Sequence, residues 1–108
     1  MPILHLALST RDVAVSIADL SQRLGAPPVV VVPGVYALWR TPQVNCSLRY
    51  DPNAAPGTLR HLGWEDPHCE AFTAEEDCHG LLWERFSAEQ QLAEIRELWP
   101  TAEIIDED

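Results

Sequence analysis

The sequence predicts an α+β fold: a curved mixed sheet built on a βαβββ module, followed by a shortened second half and a C-terminal helix. Short runs rich in Val, Leu, Trp and Tyr alternate in polarity with period two, as strands do. Two longer segments instead repeat their apolar residues at helical spacing. Pro-Gly and Thr-Pro pairs punctuate the runs and mark their ends.

The first run, "ILHLALS", places Leu4, Leu6 and Leu8 on one face and Ile3, His5, Ala7 and Ser9 on the other, and the leucine face is expected in the core. The next segment, "STRDVAVSIADLSQRLG", carries Val13, Ile17, Leu20 and Leu24 at helical spacing. Ser9, Thr10 or Asp12 can cap its start, and Gly25 suits its end. Three strands are then expected, at Val29 to Val32, Val35 to Arg40 and Val44 to Tyr50. In the third, Val44, Cys46, Leu48 and Tyr50 share one face. Asn45, Ser47 and Arg49 share the other, which is polar enough to line a cleft.

After the loop "DPNAAPG", the run "TLRHLGWED" sets His61 on one face with Leu59, Gly63 and Glu65, while Leu62 and Trp64 point away. The stretch "CEAFTAEEDCHG" reads as a turn-rich connection. "LLWERF" is the last strand, with Leu82, Glu84 and Phe86 on one face. Ser87 and Gln90 then form a capping box, and Leu92, Ile95 and Leu98 give the closing helix its buried stripe up to Pro100.

A chain of 108 residues makes one domain, expected over residues 1–100 with an acidic tail at 101–108. No apolar stretch approaches the roughly 18 residues of a spanning helix, and the N-terminus lacks a secretory pattern, so the expected location is cytoplasmic. Seven basic against seventeen acidic residues leave a net charge of −10, which repels phosphate backbones and anionic lipid surfaces. Nucleic acid and membranes are therefore not the expected partners. Cys46, Cys69 and Cys78 cannot all pair within one chain and show no CxxC spacing, so reduced thiols are expected.

Two histidines and a glutamate, His5, His61 and Glu84, each fall inside an expected strand, on a face where a structural residue is normally apolar. Should the strands converge, they form a 2-His-1-carboxylate set. Such a set suits a divalent first-row metal and leaves coordination positions open. Taken singly, a strand histidine is more often a hydrogen-bonded structural residue, and the metal reading gains its weight from the trio.

The chain resembles the vicinal oxygen chelate superfamily, which includes glyoxalase I, the type I extradiol dioxygenases and the fosfomycin-resistance thiol transferases. The resemblance rests on "LHLALSTRDVAVSIADLSQRLG", "VNCSLRYD", "RHLGWED" and "EDCHGLLWERF", in that order, and spans nearly all of Ile3 to Phe86. It implies that His5, His61 and Glu84 hold a divalent Fe, Mn, Zn or Ni ion, and that the activity is that of a lyase, dioxygenase or transferase. Ser47 stands where glyoxalase I has a further glutamate, and Ala7 where the fosfomycin enzymes normally have threonine. The family repeats its βαβββ module, yet Leu62 to Glu76 leave no room for the usual helix and two strands. The C-terminal helix, or a second copy of the chain, is expected to cover the sheet where the missing helix would pack.

Asn45, Ser47, Arg49 and Trp39 are the candidate substrate contacts, although Trp39 could equally be core and Arg49 could simply balance nearby carboxylates. Glu65 reads more readily as a solvated edge residue than as a catalytic one. A rival zinc clip from His68, Cys69, Cys78 and His79 is disfavoured by adjacent ligands that would point to opposite faces of a strand. The expected function is a metal-dependent enzyme acting on a small oxygen-rich molecule, as a homodimer. The competing expectation is a non-catalytic small-molecule-binding or assembly module on the same scaffold.

Overall fold

A computed structural model describes residues 1–105, and the closing Asp106, Glu107 and Asp108 lie outside the described residues. Eight strands and two helices follow one another as β1 (Ile3–Thr10), α1 (Val13–Leu24), β2 (Val30–Val32), β3 (Tyr36–Arg40), β4 (Val44–Tyr50), β5 (Leu59–Glu65), β6 (Thr73–Glu76), β7 (Leu82–Phe86), α2 (Ala88–Leu98) and β8 (Glu103–Ile104). They form one mixed, curved, open sheet in the order β6-β7-β5-β1-β4-β3-β2-β8, so the fold is α+β as expected. β1 runs parallel to β4, and β5 runs parallel to β7. The second half thus repeats the parallel pairing of the first without its helix.

Local chemistry sets the helix ends. Asp12 accepts the amide of Val15 at the start of α1, and Gly25 takes the left-handed conformation that closes it, at a φ of 70°. The Ser87–Gln90 capping box forms in both directions at the start of α2.

The two helices cover opposite faces. On the outer face, Ile17, Leu20 and Leu24 of α1 pack with Leu8 onto buried Ala37, Trp39 and Leu48. On the inner face, Leu92 and Ile95 of α2 and the following Trp99 pack onto Val30, Val32, Tyr36 and Leu38. α2 therefore roofs the inner face and does not replace a missing outer helix. As a result His5, Ala7 and Ser9 are fully buried, whereas Leu4, Leu6 and Leu8 are only partly so, which inverts the expected burial of β1. The roof, not side-chain polarity, decides which face is dry.

Several further expectations are corrected. The connection after β5 contains a strand, β6, whose exposed "TAEE" has little intrinsic β character and is held by its pairing with β7. Leu98 is exposed, because α2 turns Gln91 and Ile95 inward. Part of the expected tail belongs to the sheet, since β8 pairs with β2. The register of β5 on β1 shifts between Ala7 and Leu8, so Ala7 pairs with His61 and Leu8 with Leu59. Arg60 is the extra residue of a β-bulge, and Leu59 leaves the face of His61 for that of Leu8.

Candidate metal centre

Three adjacent strands bring the predicted trio together. His5 on β1 pairs with Gly63 on β5, and Gly63 in turn pairs with Glu84 on β7. His61 lies on the same inner face, two register positions from Gly63 and opposite Ala7, beside the bulge. Donor atoms of His5, His61 and Glu84 all lie within 4.8 Å of one another, the only such group among the described residues. His61 Nε2 stands 3.1 Å from His5 Nε2 and 3.0 Å from Glu84 Oε1. Two ligands side by side on an ion with bonds of about 2.1 Å are about 3.0 to 3.4 Å apart, the range in which His61 stands from each of its two neighbours.

Gly63 owes its identity to this geometry. A Cβ there would collide with the backbone of Glu84, so only glycine lets β7 lie this close beside β5 at the cluster. Its small size marks a close backbone approach, not an empty space.

Behind His5 lies a buried polar relay. Asn45 is 0% exposed, and its amide nitrogen donates to Glu65 Oε1 and to Gln91 Oε1, both at 2.8 Å. With both donor hydrogens used, its oxygen accepts from His5 Nδ1 at 2.8 Å. That bond assigns the proton to Nδ1 and leaves the lone pair of Nε2 facing His61 and Glu84, the orientation a metal ligand needs. Phe86 meets the His5 ring edge-on at a centroid distance of 5.0 Å and limits its rotation. Burial lowers the pKa of His5, which keeps the imidazole neutral.

Glu65 is buried, contrary to its solvated-edge reading, and anchors this relay. Burial pushes its carboxyl up, but hydrogen bonds from Arg40 and Asn45 more than offset that and hold it below the ordinary carboxylate range. Arg40 meets it with two parallel bonds of 2.8 Å. The sequence offers no sign of this pairing, because Arg40 and Glu65 are brought together only by strand order.

The trio opens onto a cavity of about 760 Å³ between the inner face and α2, a size ordinary for a small-molecule site. Ser47 and Arg49 line it as predicted. Asn45 does not, since its bonds are consumed by the relay, and its role is to position His5. Trp39 is fully buried on the outer face, where its indole donates to Ser21 of α1, so it walls no pocket. Trp99 takes the place expected of Trp39. It stacks on Tyr36 at 4.8 Å and carries the guanidinium of Arg49 over its ring at 5.2 Å.

Arg60, Tyr36 and Glu94 also line the cavity and were missed from sequence. Strict alternation points Arg60 away from His61, and only the bulge brings it in. Burial and then the nearby Arg49 charge lower its pKa. The Tyr36 hydroxyl, bonded to Ser47, is raised well above the usual phenol range by burial and stays protonated. Partial desolvation, then the Glu84 charge, push the carboxyl of Glu94 up.

The rival zinc clip does not assemble: Cys69 Sγ donates to the Ala71 carbonyl, and all three cysteines are free. No family model matches the chain, and none of the curated proteins matches it significantly. No helix among the described residues is long and apolar enough to cross a membrane.

Proposed function

We propose that this protein is a metal-dependent enzyme of the vicinal oxygen chelate type, acting on a small oxygen-rich molecule. The observation that carries the reading is the convergence of His5, His61 and Glu84 at the floor of a roofed cavity, with His5 Nε2 already turned toward the other two. The repeated parallel pairing, β1 with β4 and β5 with β7, supports the resemblance to that superfamily. A bound Fe, Mn, Zn or Ni ion would supply Lewis-acid polarisation of adjacent substrate oxygens. The chain's own contribution is to hold the three donors close together and to keep His5 neutral beneath α2.

One observation favours a non-catalytic binding module instead. His61 Nε2 lies within hydrogen-bonding distance of both His5 and Glu84, so a single N–H shared between those two acceptors can hold the trio together without an ion. Metal analysis of reconstituted protein separates the readings. One ion per chain in wild type, lost in His61→Ala and in Glu84→Ala with the fold retained, is the expected result. Unchanged metal content in both variants would falsify the site.

Three unpaired cysteines suit a reducing, cytoplasmic setting. The half-buried Leu62, Trp64 and Trp83 share the outer face of the second half, where no helix packs, and support a homodimer. A monomer by light scattering at micromolar concentration would remove that part of the proposal.

A further inference from the structure

We infer that Arg49 and Arg60 form an oxyanion subsite in this cavity, so that the substrate carries a carboxylate or phosphate group in addition to the oxygens that would chelate the metal. The inference rests on the proposed function only for the word substrate. The subsite itself stands on separate observations.

Arg60 reaches the cavity through the bulge beside His61. Bulges re-aim side chains beside functional sites, and this one places a guanidinium next to a candidate ligand. Arg60 is only partly exposed, yet among the described residues it makes no hydrogen bond and no ion pair. Arg49 rests on the face of Trp99 and likewise enters no ion pair among those residues. Both guanidiniums line the same cavity as the trio.

This arrangement runs against composition. With seventeen acidic residues to seven basic ones, carboxylates abound to neutralise a partly buried arginine. Arg23, Arg40 and Arg85 each have such a partner. Arg49 and Arg60 do not, although Glu84, Glu94 and Glu97 border the same cavity. Glu84 and Asp51 act on Arg60 and Arg49 acts on Glu94 from a distance, but no carboxylate is bonded to either guanidinium, so both planar donor forks stay open to a carboxylate or phosphate. A net charge of −10 would otherwise repel such a ligand, so a local cationic pair is what admits it.

Calorimetric titration of inorganic phosphate and, separately, malonate into metal-free wild type, Arg49→Gln and Arg60→Gln tests this, with Arg11→Gln as an exposed control. One anion per chain should bind to wild type and to the control. Either cavity substitution should weaken it at least tenfold. The preferred probe tells phosphate from carboxylate. Phosphate should raise the melting temperature of wild type and not of the two variants. Metal content measured in parallel should be equal in all four proteins. Equal anion affinity in wild type and both cavity variants, or no anion binding to wild type, overturns the subsite. Absence of metal uptake together with the expected anion results overturns the proposed function and leaves the subsite standing.

Discussion

The two faces of the sheet are closed by helices that do opposite things. On the outer face α1 meets the strands with aliphatic side chains and leaves Trp39 at 0% exposure, its one polar atom matched by Ser21. On the inner face α2 packs Ile95 at one end but brings Gln91 onto Asn45 and leaves a cavity over the histidines. Apolar packing seals one face. On the other, His5, Asn45, Glu65 and Gln91 are held in place by bonds to one another, which ties a metal-competent geometry to the stability of the fold.

If the outer face is purely structural, Trp39→Ala should cost about 3 to 5 kcal/mol of unfolding free energy by denaturant titration. Metal uptake per folded molecule should stay unchanged. Loss of metal binding at the same time would show that the faces are not independent.

Asn45→Ala probes the inner face, because it strips partners from His5, Glu65 and Gln91 together. Stability should fall by about 1 to 3 kcal/mol, and metal affinity by about tenfold to a hundredfold as His5 loses its fixed tautomer. Full affinity in a competition assay would remove Asn45 from any role at the site. Gly63→Ala should act through the backbone, moving β7 and Glu84 away, with a stability cost of about 1 to 3 kcal/mol. Weakened metal binding is expected alongside it.

The mildest effect is on pH dependence. His5 and Glu65 both have pKa values lowered by folding, so the unfolded chain binds protons that the folded one refuses. Their contributions are present above the unfolded values and are lost as pH falls, first below about 6.5 for His5 and then below about 4.5 for Glu65. Melting temperatures of metal-free protein should decline across those two ranges. Asn45→Ala should alter the acid limb, since it removes a bond from each group, and an identical profile would dissociate the relay from acid stability.

Whereas β6 and β8 carry no such pattern and are held by pairing, six of the eight strands, the capped helices and the residues sharing each face of β4 and β7 were legible from period-two and helical patterns, and so was the trio His5, His61 and Glu84. These features depend on residues near one another in the chain, or on which side of a strand a residue lies. Alternation states which residues share a face but is silent on what covers that face. Only the tertiary structure decided that α2 roofs the polar side, which buried His5, turned Asn45 into a positioning residue and placed Trp39 on the other side. The bulge at Arg60 and the Arg40–Glu65 pair were hidden for a related reason, since both arise from how strands distant in sequence register against one another.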